Sequence, residues 1–183
     1  MDRHKVANAV LVPIDWLIGR GMDGLEVAKL LGPTQNIIYK VLQQTLKLQF
    51  KLQNELGIEG VKNVPSAGGV LLASNHQSWL DVQVLGAACP RKVHFIAKSE
   101  FRDWPVIRRL IQLGESVFIK RGGDNRALDT IADALRKGWA VAIYPEGTIP
   151  GEEEIPRRPV DPETGLLPGH TGVVRLALKS DVP

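Results

Sequence analysis

GVLLASNHQSWLD, residues 69–81, is the part of this sequence that says most about its fold. The apolar run at residues 69–74 has the length and composition of a buried strand. A polar turn follows at once, and the apolar pattern that resumes at Trp79 has the spacing of a helix. Because a strand followed by a helix is the repeating unit of α/β proteins, we predict that the chain continues to alternate strands and helices.

A histidine and an aspartate lie five residues apart at this junction, at His76 and Asp81. In one unbroken helix, residues five apart are rotated by roughly 140° and cannot face each other. We therefore predict that His76 precedes the helix, that Ser78 caps it, and that Asp81 in the first helical turn comes close to His76.

Two interpretations of this pair stay open at this point. In the first, the Asp81 carboxylate accepts the proton on one imidazole nitrogen of His76, and the other nitrogen takes a proton from a hydroxyl group. In the second, Ser78 and Asp81 only cap a helix, and His76 is a polar loop residue. The first interpretation predicts an enzyme, whereas the second predicts no chemistry.

The rest of the chain alternates strand and helix patterns, which favours a layered α/β fold with a largely parallel sheet flanked by helices. Helices are predicted at residues 79–88, 103–113, 124–137 and 171–179, and further strands at residues 92–97, 116–120 and 139–144. Residues 147–170 are rich in Gly, Pro and Glu and are predicted to form a loop. Another strand is expected after the last helix to cover a sheet edge, so we expect that a C-terminal strand is missing from this sequence.

Composition narrows the class of protein further. The 183 residues are 44% hydrophobic, which suits one globular domain with a sizeable core. Cys89 is the single cysteine, so an internal disulfide is excluded and a reducing compartment is expected. Residues 61–121 contain nine Lys or Arg against four Asp or Glu, which favours an anionic ligand or surface, with ordinary solvated lysines as the alternative. Nucleic acid is disfavoured because no long basic run is present.

The N-terminal part is predicted to be a helical segment at residues 1–55, followed by the α/β domain at residues 56–183. No run reaches the roughly 18 uninterrupted apolar residues of a membrane-spanning helix. Residues 34–56 have the pattern of an amphipathic helix, which either covers a core or lies on a membrane surface. The residues on its predicted apolar side are Ile37, Ile38, Val41, Leu42, Thr45, Leu46 and Leu52.

Two other predicted strands also end at charged residues. Arg121 follows the strand at residues 116–120, and Glu146 follows the strand at residues 139–144. Ligands bind at the carboxyl ends of strands in open α/β sheets, so we expect these two residues and His76 to converge on one cleft. Taken singly, Arg121 is better explained as a solvated cation and Glu146 as part of a turn.

Three blocks of the sequence, in this order and rough spacing, resemble the glycerolipid acyltransferases of the HxxxxD type, most of all the 1-acylglycerol-3-phosphate acyltransferases. The blocks are NHQSWLD at residues 75–81, GESVFIKR at residues 114–121 and YPEGT at residues 144–148. The resemblance covers about residues 55–183. Together the three blocks are far more specific than any one of them.

The resemblance implies a role for each matching residue. His76 would be the general base that removes the proton of the acceptor hydroxyl as this attacks an acyl thioester, and Asp81 would orient His76. The implied route is direct transfer through a tetrahedral intermediate, without a covalent acyl-enzyme. The residues that the resemblance places around a phosphorylated acceptor are Arg121, Glu146, Gly147, Thr148 and Lys98.

The resemblance also implies the partners. The donor would be acyl-CoA or acyl carrier protein, the acceptor 1-acylglycerol-3-phosphate, and the product phosphatidic acid. Other acceptors, such as glycerol-3-phosphate or an amino lipid, and a non-catalytic lipid-binding protein are the alternatives. Both substrates are lipid-like, so we expect residues 1–55 to dock the protein on the cytoplasmic face of a membrane. No cofactor or metal is expected, because no two of the four histidines have metal-ligand spacing.

The chain departs from the family pattern after the third block. An arginine usually follows the threonine of that block, whereas Ile149 occupies this position here and an acidic insertion follows at residues 151–154. Phosphate binding by this loop is therefore in question, and Arg157 or Arg158 is the expected source of the missing charge.

Overall fold

The computed structural model describes residues 31–99, 108, 111–119, 125–150 and 159–183. Within them, a four-stranded parallel sheet has helices packed on both faces, which confirms the predicted α/β class. A short 3₁₀ turn at Val61–Asn63 precedes the first strand. In chain order the elements are α1 (Leu31–Gln53), β1 (Val70–Ala73), α2 (Asp81–Ala88), β2 (Val93–Lys98), β3 (Val117–Ile119), α3 (Asn125–Arg136), β4 (Ala140–Ile143) and α4 (Gly172–Ser180).

The strands lie in the order β1-β4-β2-β3, so the last strand in the sequence is inserted between the first and the second. Ala140 of β4 is in register with Val70 of β1 on one side and with Val93 of β2 on the other. The β4 residues Ala140, Val141 and Ala142 are at most 1% exposed. A continuous apolar run is what a central parallel strand requires, because helices cover both of its faces.

Two apolar clusters lie on opposite faces of the sheet. Val141 packs against α3 and α4 on one face, whereas the next residue, Ala142, packs with Cys89 and Val93 near α2 on the other. Successive side chains of a strand point to opposite faces, so these two clusters define three layers. The buried members of the larger cluster are Ile131, Ala132, Ala134, Leu135, Val141 and Leu176.

The end of α3 is set by a glycine. Gly138 has a φ of 89° and donates its N–H to the carbonyl of Leu135 at 2.8 Å, while the N–H of Trp139 reaches the carbonyl of Ala134 at 3.1 Å. This pair of bonds is a Schellman motif, which needs a left-handed residue that glycine adopts without steric strain. The chain therefore turns directly from α3 into β4.

Most predicted elements agree with the structure to within two residues at each end. The main difference concerns α2, which begins at Asp81 rather than at Trp79. Residues 78–81 form a separate turn, closed by the N–H of Asp81 on the carbonyl of Ser78 at 3.1 Å. Leu80 is the N-cap residue of the regular helix, whereas Ser78 caps the turn that leads into it: Ser78 Oγ accepts the N–H of Leu80 at 3.2 Å, and the N–H of Ser78 donates to Asp81 Oδ2 at 2.8 Å. The helix predicted at residues 103–113 lies largely outside the described residues, of which 108 and 111–113 are helical.

The packing of α1 differs from the predicted pattern. Ile37, Val41 and Leu52 of the predicted apolar side are 64%, 62% and 73% exposed, whereas Gln43 and Phe50 are buried. Ile38, Leu42 and Leu46 of the same side are half-buried, so the predicted apolar side is divided between the domain and solvent. None of the helices in the described part of the chain is long and apolar enough to cross a membrane.

The outer edge of β1 meets the last residue of the chain. The N–H of Leu71 donates to the carbonyl of Pro183 at 2.9 Å. That a further strand belongs at this edge stays a prediction, as does the boundary at residue 55 between two segments.

Candidate active site

The junction between β1 and α2 brings the histidine and the aspartate of the first block together. Nδ1 of His76 lies 3.0 Å from Oδ2 of Asp81. The side chains are 14% and 28% exposed, so the pair is largely enclosed but partly open to solvent. This is the geometry that the spacing predicted, whereas the catalytic roles of the two residues stay predictions.

The Asp81 carboxylate also organises the turn that precedes α2. Its Oδ2 accepts the backbone N–H of Gln77 at 2.7 Å and that of Ser78 at 2.8 Å, in addition to the imidazole. Burial disfavours the charged form of Asp81, but the hydrogen bonds from Ser78, His76 and Gln77 outweigh it, so the pKa of this carboxyl lies below its usual value. Asp81 is therefore an anion at neutral pH.

The contact with Asp81 determines which imidazole nitrogen is available. An ionised carboxylate only accepts hydrogen bonds, so Nδ1 of His76 bears the proton that it donates to Asp81. The neutral imidazole then has a lone pair on Nε2. This nitrogen is the one that can take a proton from a bound hydroxyl group.

A tyrosine lies against the face of the same imidazole. The rings of His76 and Tyr144 have centroids 4.1 Å apart and planes inclined by 18°. The Tyr144 hydroxyl is buried and has no hydrogen-bond partner among the described residues. Burial, together with the negative charge of Asp81, raises the pKa of Tyr144, so its hydroxyl stays protonated. No local pattern in the sequence indicates this stack.

The acid of the third block reaches the first block. Glu146 is 4% exposed, and its Oε1 accepts the backbone N–H of His76 at 3.1 Å. Since β1 and β4 are neighbours, the turns after them meet at one edge of the sheet, as the strand-end argument predicted for His76 and Glu146. Glu146 thus contacts the backbone of His76 through Oε1. The role of Glu146 in acceptor binding stays a prediction.

The next two residues of the third block form a tight turn. Gly147 has a φ of 70° and donates its N–H to the carbonyl of Tyr144 at 3.0 Å, and Thr148 is buried. The ring of His170 lies over this turn, so that a methyl group at Gly147 would be 3.5 Å from its Cδ2. The N–H of His170 also donates to the carbonyl of Pro145 at 2.7 Å. The sequence predicted only that His170 ends the loop at residues 147–170, because this contact crosses the loop and leaves no local pattern.

The remaining predicted site residues are less fully described. Lys98 is the last residue of β2, in register with Ile119, so its backbone lies at the same edge of the sheet, and its side chain lies outside the described part. Arg121 and residues 151–158 also lie outside the described residues. Ile149 is half-buried directly after Thr148. The acceptor-binding roles of Lys98, Arg121, Gly147 and Thr148 stay predictions.

The other described histidines and the acids form no metal centre. No group of three His, Cys, Asp or Glu side chains in the described ranges is placed to hold a metal ion. His94 is 5% exposed, its ring stacks on Trp139, and its Nδ1 lies 3.3 Å from the carbonyl of Glu115. Burial lowers the pKa of His94. It is therefore a core histidine, within the strand predicted at residues 92–97.

The fold and the site define an α/β protein with a His–Asp pair directly after its first strand, beside a glutamate-containing turn after the neighbouring strand. Residues 55–183 match the family model described as Acyltransferase. The chain belongs to this acyltransferase family, which confirms the family predicted from the three sequence blocks.

Acyltransferases that act on two different lipids are among the curated relatives that match part of the chain. A lyso-ornithine lipid O-acyltransferase of Pseudomonas aeruginosa is 38% identical over 88 residues, which are 47% of this chain and 33% of that protein. A 1-acyl-sn-glycerol-3-phosphate acyltransferase of Neisseria gonorrhoeae is 36% identical over 99 residues, 50% of this chain and 37% of that protein. The matches therefore span about a third of the length of these relatives.

A solved structure has the same fold. The crystal structure of the 1-acyl-sn-glycerophosphate acyltransferase PlsC of Thermotoga maritima superposes with a TM-score of 0.68 and 23% identity, and the match covers 98% of this chain and 72% of that one. At this identity the likeness concerns the fold.

Proposed function

We propose that this protein transfers an acyl group from a thioester, acyl-CoA or acyl carrier protein, to the free hydroxyl of 1-acylglycerol-3-phosphate, giving phosphatidic acid. The observation that most directly supports a catalytic site is the 3.0 Å contact between Nδ1 of His76 and Oδ2 of Asp81 at the carboxyl edge of the sheet. Membership of the acyltransferase family supports the reaction class.

The proposed chemistry uses His76 as a base and then as an acid. Nε2 takes the proton of the acceptor hydroxyl as its oxygen attacks the thioester carbonyl carbon, and the imidazolium that forms is stabilised by the Asp81 carboxylate. The tetrahedral intermediate then collapses, the carbon–sulfur bond breaks, and the leaving thiolate takes the proton from Nε2. No covalent acyl-enzyme is formed, and no cofactor is consumed.

A second acceptor is favoured by a specific feature of the third block. Ile149 stands where the family pattern has an arginine, and the insertion at residues 151–154 is GEEE, both of which weaken the case for a phosphate. A relative from Pseudomonas aeruginosa is a lyso-ornithine lipid O-acyltransferase. An amino lipid is therefore the second candidate acceptor, since carboxylates favour a cationic headgroup.

We also propose that α1 docks the protein on a membrane. The exposed residues Ile37, Val41, Leu48 and Leu52 form an apolar stripe along the helix. The helix contains three lysines and no acidic residue, which suits an anionic lipid surface. Location on the cytoplasmic face stays a prediction.

The central test is His76→Ala in the full chain, with products identified by mass after incubation with mixed acyl thioesters and lyso-acceptors. We expect the wild type to acylate an acceptor and the variant to lose activity by about 10²-fold or more, because the general base is absent. Thermal unfolding of both proteins controls for folding. Full activity of the variant would refute the general-base role, and a wild type that acylates no acceptor would favour the lipid-binding alternative.

The acceptor is tested separately with the wild type. Equal concentrations of 1-acylglycerol-3-phosphate and of a lyso-ornithine lipid are supplied with one acyl donor, and kcat/KM is compared. A higher value for the glycerophosphate supports the first candidate, and a higher value for the ornithine lipid supports the second.

A further inference from the structure

Two aromatic residues bracket β4, and each of them stacks on a histidine. Trp139 precedes the strand and stacks on His94, with centroids 3.9 Å apart and planes inclined by 17°. Tyr144 follows the strand and stacks on His76 at 4.1 Å and 18°. The first pair lies in the core, whereas the second includes the imidazole that contacts Asp81. The same contact therefore occurs once inside the fold and once in the candidate active site.

We propose that Tyr144 is a positioning residue, whose ring holds the His76 imidazole so that Nδ1 meets Asp81 and Nε2 stays available to the acceptor hydroxyl. This inference rests on the proposed role of His76 as general base. One hydrogen bond from Nδ1 leaves the imidazole free to tilt about that bond. Contact across the whole ring face restricts the tilt, and such pre-orientation of a reacting group lowers the barrier to reaction.

The backbones of the two stacked residues are held relative to each other. The N–H of Ser74, two residues before His76, donates to the carbonyl of Ile143 at 3.1 Å. The N–H of His76 donates to the Glu146 carboxylate at 3.1 Å. These two bonds hold the backbones that carry the two rings at a fixed separation.

The ring, and not the hydroxyl, makes the contact. The Tyr144 hydroxyl is buried without a hydrogen-bond partner among the described residues, so it does not orient His76 through a hydrogen bond there. A phenylalanine would keep the stacked ring and remove only the hydroxyl. Comparison of Tyr144→Phe with Tyr144→Leu therefore isolates the effect of the aromatic ring, on which the proposal depends.

The experiment measures kcat and the KM of donor and acceptor for both variants in the full chain. We expect Tyr144→Leu to lower kcat by about 10- to 100-fold with little change in either KM, because the base is misplaced and the substrates are still bound. Tyr144→Phe should recover most of the wild-type kcat. Trp139→Leu, which removes the matched stack in the core, should lower the melting temperature but leave kcat per folded molecule unchanged.

A spectroscopic measurement makes the test independent of turnover. With ¹⁵N-labelled histidine, the wild type and Tyr144→Phe should show a protonated Nδ1 at His76, and Tyr144→Leu should show exchange between the two tautomers. Wild-type kcat in a folded Tyr144→Leu variant would overturn the proposal, and so would a Tyr144→Phe variant as impaired as Tyr144→Leu. Activity retained by His76→Ala would instead overturn the proposed function.

Discussion

Asp81 is both a structural and a candidate chemical residue. A single oxygen, Oδ2, accepts N–H groups from Gln77, Ser78 and the His76 imidazole. The turn that places His76 is thus built around the same carboxylate that would stabilise its protonated form. Capping and catalysis, which the sequence left as alternatives, are compatible in this arrangement.

The charge of Asp81 can be separated from its shape with Asp81→Asn. The amide oxygen still accepts hydrogen bonds from the turn, but it no longer stabilises an imidazolium, so we expect kcat to fall by about 10²- to 10⁴-fold with a smaller effect on KM. Asp133→Asn is the matched control, because Asp133 forms an exposed ion pair with Arg136 at 2.8 Å on the outside of α3. Steady-state kinetics of both variants provide the test, and unchanged kcat in Asp81→Asn would remove Asp81 from the mechanism.

The pKa of Asp81 predicts how stability depends on pH. The folded-state pKa is lower than the ordinary value of 3.8, so the ionised carboxylate contributes stability above that pH, and the contribution is lost as the pH falls through the folded-state pKa. The free energy of unfolding of the wild type should therefore exceed that of Asp81→Asn most at neutral pH, and the difference should shrink as the pH falls below 3.8. Urea denaturation of both proteins over this range measures it. A difference between the two proteins that is independent of pH would contradict the lowered folded-state pKa of Asp81.

Local contacts at this site were predictable from the sequence, whereas for distant residues only a shared cleft was predictable. The approach of His76 to Asp81 followed from a spacing of five residues and a strand-to-helix junction. The hydrogen bond from His76 to Glu146 joins residues 70 apart in the sequence. The stack of Tyr144 on His76 joins residues that are nearly as far apart. Nothing in a local pattern specifies which strand lies next to β1, so these contacts could only be seen in the folded chain.

At the scale of elements, α1 shows why a periodic apolar pattern is an incomplete guide. The pattern was correct as a helix, but only part of its apolar side packs on the domain, and polar side chains share that contact. Gln43 is buried and donates from Nε2 to the carbonyls of Gly86 at 2.7 Å and Cys89 at 3.0 Å, at the C-terminal end of α2. Tyr39, one turn earlier, accepts the N–H of Val93 at 3.1 Å. A helix end leaves carbonyls unpaired, and these polar side chains satisfy backbone groups that an apolar face could not.

The buried amide of Gln43 gives a stability prediction. Gln43→Leu keeps an apolar stem but leaves the carbonyls of Gly86 and Cys89 without this donor, so we expect the free energy of unfolding to fall by about 1–3 kcal/mol. Gln44→Leu, at the neighbouring exposed position, should change it by less than about 0.5 kcal/mol. Equilibrium urea unfolding of the two variants gives both values. Equal effects of the two substitutions on the free energy of unfolding would show that the hydrogen bonds from Gln43 to the end of α2 do not contribute to stability.

At the scale of the whole molecule, the strand order brings distant sequence blocks together. The sequence predicted a parallel sheet, and the position of β4 between β1 and β2 had to come from the structure, because alternating patterns do not fix the order of strands. This order makes β1 and β4 neighbours, so that the turns after them share one edge. α2 then connects this edge to α1, since its N-terminal end contains Asp81 and its C-terminal end accepts Gln43. The proposed docking helix and the candidate site are thus parts of one packed layer.

Membrane docking through α1 has an internal control on the other face of the sheet. Ile37 and Val41 are exposed one turn apart on α1, and Val174 and Leu178, 58% and 80% exposed, are spaced identically on α4. If α1 inserts into lipid, Ile37→Ser/Val41→Ser should weaken binding to anionic vesicles by about 10-fold or more, from the lost transfer of two apolar side chains. Val174→Ser/Leu178→Ser should bind as the wild type does. Vesicle co-sedimentation at low and high salt measures the binding of the two double variants and of the wild type. Salt should weaken wild-type binding, because the lysines of α1 contribute to it. Equal loss in the two double variants would mean that binding is not specific to α1, and wild-type binding by the α1 variant would place the docking surface elsewhere.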